Sequence, residues 1–226
     1  MPFTGSLRRG HPWWLLAGFW ICIVIALAAV VRRLFALVRP AGGRSPIGDL
    51  DAVFSSHAAL TVAHIVPAGI FVVLAAAILL RRRSNKWLER LFFPFGAITG
   101  VTAYAMSAYA FGGWTERAAV AVFDTWFLLS LGRAFWFHLH GDQVCQRRWI
   151  TRAVGVMLGI ATTRPVMGAF FATSALTHLS PHQFFGIAFW IGFSINAVVV
   201  ELWLHSKQRA DLHEPGPVLV DTRVRR

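Results

Sequence analysis

The chain has 226 residues, of which 56% are hydrophobic and 14% are charged. Soluble domains carry about 25% charged residues, so this chain has too few polar side chains to cover a soluble surface. Its formal net charge of +12 comes mainly from basic residues that lie between apolar runs, a pattern typical of membrane topology and of contact with anionic headgroups. We therefore predict an integral membrane protein whose partner is the lipid bilayer, and which binds no nucleic acid.

Six apolar runs are long enough to cross a bilayer, which takes about 20 residues of helix. Because lipid cannot hydrogen-bond the backbone, runs of this length are expected to be helices. The predicted fold is an all-α transmembrane bundle of six helices over residues 13–204, between a cytoplasmic segment (1–12) and a disordered cytoplasmic tail (205–226). The predicted spans are Trp13–Val31, Ala58–Leu80, Leu91–Phe111, Ala118–Phe137, Ala153–Leu176 and Phe184–Leu204.

The basic loops predict the orientation. "RRRSNKWLER" (Arg81–Arg90) and "GDQVCQRRWITR" (Gly141–Arg152) are strongly basic, whereas "GGWTER" (Gly112–Arg117) is neutral, so the basic loops and both termini are expected in the cytoplasm. The first run is interpreted as an uncleaved span because it is longer than the apolar part of a signal peptide. An arginine-rich, alanine-rich composition is typical of GC-rich bacterial genomes, which suggests a bacterial cytoplasmic membrane. The second basic loop contains Arg147, Arg148, Trp149 and Arg152.

Two GxxxG patterns predict where helices approach closely. Small residues at this spacing let two backbones come together in lipid. The partner helix is in the same chain or, in a homo-oligomer, in a second copy. The glycines are Gly96 and Gly100 in the third span and Gly155 and Gly159 in the fifth.

Arg164 lies near the middle of the fifth span, directly before Pro165. A charge at mid-bilayer is costly and normally faces the bundle interior and a partner. A rise of about 1.5 Å per residue places Asp124 and His64 roughly 6–8 Å outward of Arg164 and Asn196 a little inward, within reach of an arginine side chain. These four side chains predict one buried site: His64, Asp124, Arg164 and Asn196. Two interpretations stay open, a ligand site or an Arg164–Asp124 pair that only fixes helix packing.

Two further charged residues, Arg133 and Glu201, lie nearer the cytoplasmic ends of their spans. They are predicted to form a second, inner pair. Arg133 is nine residues from Asp124, so the two point to opposite faces of their helix and are not placed in one site.

The histidines suggest a cofactor. His57, Thr61 and His64 share one face of the second span, and His178 and His182 lie in a loop at comparable height. Histidines on facing helices can hold haem iron, so His64 is a candidate haem ligand. No P-loop, nucleophile elbow or HExxH motif is present, and the sequence carries no signature of a soluble enzyme.

Four stretches carry a family resemblance: "HIVPAG" from His64, "NKWLERLF" from Asn85, "GDQVCQRRWITRA" from Gly141 and "WIGFSINAVVVE" ending at Glu201. In these the chain resembles a bacterial group of membrane proteins catalogued as domain of unknown function 2306. The resemblance covers about two-thirds of the chain and implies a multi-span helical fold without supplying an activity. Arg164 falls where that group tends to carry an arginine.

Three positions depart from the pattern of that group. Asn85 and Gln146 stand where histidines are usual, and Glu89 stands where glycine is usual. If the group uses those histidines for a metal, haem or proton step, this chain has lost the step or performs it differently.

Three functions follow from these observations. The first is a buried polar site at mid-membrane that binds a small ligand or relays protons. The second is a redox role, with haem at His64 or a quinone near Arg164. The third is a structural or assembly partner in which the buried charges only fix helix packing.

Overall fold

The structure is a computed structural model, and it describes residues 13–38, 46–80 and 86–213. Every regular element in these ranges is helical, as predicted. In chain order the helices are α1 (Trp13–Val38), α2 (Pro46–Ser56), α3 (Ala58–Leu80), α4 (Lys86–Ser107), α5 (Gly113–Leu139), α6 (Gln143–Met157), α7 (Gly159–Ala172), α8 (Ser174–Thr177) and α9 (Pro181–His213).

Five helical segments in the described part of the chain are long and apolar enough to cross a membrane: α1, α3, α5, α6 together with α7, and α9. The chain is therefore a multi-pass membrane protein. The remaining predicted span, Leu91–Phe111, corresponds to α4, which is less apolar because Lys86, Glu89 and Arg90 occupy its first turns. Helix α4 nevertheless lies inside the bundle, in contact with α3 and α5.

Aromatic side chains fill the centre of the bundle where α3, α4 and α5 meet. Phe71 and Phe92 are fully buried and stack with their ring centroids 4.5 Å apart. Phe127 of α5 meets the edge of the Phe71 ring at 5.5 Å. Stacked and edge-to-face pairs of this kind add about 0.5–1.5 kcal/mol each beyond the area that they bury.

The GxxxG glycines contact helices of the same chain. A Cβ atom at Gly100 would lie 2.4 Å from Leu128 of α5, and one at Gly155 would lie 2.5 Å from Val200 of α9. At Gly159 the added atom would lie 2.5 Å from the Phe193 ring, and at Gly96 it would meet α3 and α5. These glycines therefore allow close packing between helices of the same chain.

The fifth predicted span is divided. Helix α6 ends at Met157 and α7 begins at Gly159, so the break lies well before Pro165, which itself removes a helix donor. The Leu158 carbonyl oxygen accepts from the backbone N–H of Ala161 at 2.9 Å. Asn196 of α9 also donates to this oxygen, at 3.5 Å. A contact from another helix thus supports the Leu158 carbonyl at the break. The sequence pattern of one helix could not predict the position of such a break.

Several predicted boundaries change. The second basic loop is mostly helix, because the Asp142 carboxylate accepts from the backbone N–H groups of Val144 and Cys145 and caps α6. These bonds, chiefly the one from Cys145, hold the pKa of Asp142 below its usual value. The predicted tail is helical over 205–213, and its remainder, like segment 1–12, lies outside the described residues. Helix α2 was not predicted.

Candidate functional site

A cavity of about 740 Å³ lies in the half of the bundle where α5 begins. Helices α1, α3, α4, α5, α7 and α9 all contribute to its wall. Most of the lining side chains are alanine, valine, isoleucine, methionine or phenylalanine. The polar and charged residues that line it are Arg32, Arg33, His57, Thr61, His64, Thr99, Ser107, Tyr109, Glu116, Asp124 and Arg164.

Arg164 reaches this cavity from α7 without a hydrogen-bonding partner among the residues that the structure describes. Its buried Nε–H group donates to no acceptor in the described part of the chain. The charges that act on it are those of Arg32 and Glu116. A buried donor without an acceptor costs about 1–3 kcal/mol, so the fold tolerates Arg164 at a cost to stability.

Asp124 lines the same cavity from α5, and its Oδ2 atom is also buried without a partner in the described part of the chain. The predicted Arg164–Asp124 pair is therefore absent from the structure.

His64 lines the cavity from α3 and is held by α4. Its Nδ1 atom lies 3.2 Å from the carbonyl oxygen of Thr99 and 3.0 Å from Oγ1 of Thr102. Because a carbonyl only accepts, this arrangement assigns the proton to Nδ1. In the neutral ring, Nε2 then carries the free lone pair.

Asn196, the fourth member of the predicted cluster, is not in the cavity wall. Its Nδ2 atom donates to Oγ1 of Thr162 and to carbonyl oxygens of α6 and α9. Depth alone grouped it with Arg164. Its position on α9 turns it instead toward the α6–α7 junction, where it joins helices.

The first helix contributes a charged group that the sequence did not single out. Arg33 forms an ion pair with Asp51, and Arg32 lies 3.2 Å from the same carboxylate. The Arg33 guanidinium also lies 3.9 Å from the centroid of the Phe54 ring. The available signal was the mixture of arginines and aspartates in segment 32–56.

The inner charge pair differs from the prediction. Glu201 binds Arg152 of α6 in a bidentate arrangement, with Oε1–Nε and Oε2–Nη2 distances of 2.6 and 3.0 Å. Arg133 instead lies 5.3 Å from the centroid of the Trp149 ring, which Arg152 also contacts at 4.6 Å. Helix α6 lies against α9, so Arg152 reaches Glu201 directly.

A second buried polar group lies at the end of the bundle that holds the basic segments. The Glu89 carboxylate lies 2.8 Å from Nδ1 of His138 and accepts from Nε2 of Gln146 at 3.2 Å. Glu89 and Gln146 are two of the positions that depart from the pattern the sequence resembles, and they contact each other. On the same surface Arg147 donates to the Ile78 carbonyl at 3.2 Å.

The histidines do not form a pair on facing helices. The two that line the cavity are His64 and His57, seven residues apart, or about 10 Å along one side of the bundle. His182 donates from Nδ1 to the Phe111 carbonyl oxygen, 2.7 Å away, and stacks on the Phe111 ring, while His178 is exposed. This arrangement does not fit a haem held between His64 and an opposite histidine.

The chain matches no protein-family model, no curated protein and no solved structure. The family resemblance drawn from the sequence therefore stays a prediction, and the function is argued from the geometry of the site.

Replacing Arg164 by methionine should stabilise the ligand-free protein by about 1 kcal/mol, because it removes an unsatisfied buried donor. The matched control is Arg152→Met, which leaves Glu201 without its bidentate partner and should cost at least about 1 kcal/mol. Thermal unfolding of detergent-washed protein measures both. A loss in Arg164→Met as large as that in Arg152→Met would show that Arg164 has a protein partner.

Proposed function

We propose that this multi-pass membrane protein binds a small ligand in the cavity beside Arg164. One observation carries the proposal: the Arg164 guanidinium, whose buried Nε has no partner in the described part of the chain, borders a cavity of about 740 Å³. Sites for small molecules are mostly apolar cavities of about 300–1,000 Å³ with a few placed polar groups. The cavity has this size and this composition.

The polar side chains of the site come from several helices. Arg164, Arg32 and Glu116 form its charged end, because the charges of Arg32 and Glu116 act on Arg164, while Asp124 and His64 add polar groups from α5 and α3. A ligand acceptor at Arg164 would satisfy the buried Nε, and a ligand donor at Asp124 would satisfy its Oδ2. The structural alternative rested on an Arg164–Asp124 pair, and without that pair the two groups have no packing role to explain them.

The membrane arrangement is part of the proposal. With α4 as a sixth span, both termini lie on the side of the basic segments, which is the cytoplasmic side of a bacterial membrane. Helix α4 supports this count because it is 22 residues long and packs between two spanning helices. The charged end of the cavity then faces the outside.

This orientation can be tested with single cysteines in a variant without Cys22 and Cys145. Trp114→Cys replaces a residue that is 81% exposed at the start of α5, and Val144→Cys replaces one that is 64% exposed at the opposite end. A membrane-impermeant maleimide should label the first in intact cells and the second only after permeabilisation. The reverse pattern would show that the topology is inverted. Labelling of both cysteines or of neither in intact cells would show that positions 114 and 144 are not on opposite sides of the membrane.

Filling the cavity tests the proposed function. Gly168 lines the cavity, and a Cβ atom there would meet nothing within 4 Å. Gly132 is equally unobstructed but lies outside the cavity wall, so Gly132→Leu is a matched control. Both changes favour helix by up to about 1 kcal/mol, so neither should impair folding.

The readout is the rise in melting temperature of protein in phosphatidylcholine nanodiscs on addition of decanoate or decanol. A ligand of the native state raises stability in proportion to the logarithm of its concentration above Kd. Wild type and Gly132→Leu should be stabilised by at least one probe, and Gly168→Leu by neither. If Gly168→Leu responds like wild type to both probes, or if wild type responds to neither, the cavity is not the binding site.

A further inference from the structure

We infer that the ligand is a single-chain amphiphile with an anionic headgroup, which binds with the headgroup at Arg164 and the chain along the apolar wall. This inference rests on the proposed function and adds the chemical class of its ligand. It follows from the charge at one end of the cavity and from the composition of the rest.

The charged end has an excess of arginine. Three guanidinium groups, those of Arg32, Arg33 and Arg164, act on one another there. The two carboxylates at this level are already engaged: Asp51 binds Arg32 and Arg33, and Glu116 accepts from the backbone N–H of Gly112 at 2.6 Å. Arg117 also acts on Glu116, so guanidinium groups outnumber carboxylates here. Among the described residues, Arg164 is the arginine of this group that makes no hydrogen bond or ion pair.

Asp124 does not change this balance at Arg164. Both residues line the cavity, but no hydrogen bond or ion pair joins Asp124 to Arg164 among the residues that the structure describes. A carboxyl group can also escape the cost of burial by taking up a proton, whereas a guanidinium keeps its charge. The charge in this cavity that cannot be removed by a change of protonation is therefore that of Arg164, and it requires an anion beside it.

The remainder of the wall fits a hydrocarbon chain. Below the charged end, the lining residues include Val72, Phe127, Val156 and Phe193, from four different helices. Few polar groups line this part of the wall, and some already have partners within the protein. Thr61, for example, donates to the Phe54 carbonyl at 2.9 Å. A small inorganic anion would leave this apolar volume empty, whereas an alkyl chain would fill it.

The test compares probes of one chain length and different headgroups in wild type and in Arg164→Met. Decanoate, decanol and decylammonium are each titrated into phosphatidylcholine nanodiscs, and acetate reports a headgroup without a chain. Kd is taken from the concentration dependence of the melting temperature, corrected for partition into empty nanodiscs. Hydrogen bonds to a charged group are worth about 1.5–3 kcal/mol, which corresponds to a preference for decanoate over decanol of roughly tenfold or more.

In Arg164→Met this preference should fall to near equality while the affinity for decanol stays unchanged, and Arg164→Lys should retain part of it. Equal binding of decanoate and decanol in wild type, or tightest binding of decylammonium, would overturn the inference of an anionic headgroup. Acetate binding as tight as that of decanoate would overturn the inference of a chain. In these cases the proposed function still stands if a probe raises the melting temperature of wild type and not of Gly168→Leu. If no probe shows this difference, both the proposed function and the inference about the ligand are overturned.

Discussion

A polar side chain inside a bilayer has no water to bind, so it needs a partner within the protein or in a ligand. This constraint explains most of the contacts between helices in this protein. Glu201 holds Arg152 between α6 and α9, and Asn196 holds the junction of α6 and α7. His64 binds two threonines of α4. Each of these side chains joins two elements because its only available partners lie on another helix.

Arg164 is the informative exception to this rule. The same bundle that supplies Glu201 with two hydrogen bonds supplies the Arg164 Nε with none in its described part. Residues that weaken a fold are retained where function needs them. A methionine at this position would fit, because the cavity has room for its side chain. An open cavity, a fixed charge and an apolar wall together are the properties of a binding site for an amphiphile.

The sequence predicted the helical membrane fold, and the expected positions along the helices grouped Arg164, Asp124 and His64, which all line one cavity. It could not predict which side chains pair, because pairing depends on how each helix is rotated. Asn196 therefore fell outside the site. The Arg33–Asp51 pair depends on how α2, which was not predicted, lies against α1. The break at Leu158 depends on contacts from α9.

The most direct test is to identify what the protein carries out of its own membrane. Wild type and Arg164→Met would be purified without ligand addition, and the compounds extracted from each would be measured by mass spectrometry relative to protein. The account predicts an anionic single-chain compound that is retained by wild type in stoichiometric amount and lost from Arg164→Met. The same compounds in the same amounts from both proteins would show that Arg164 does not hold a ligand.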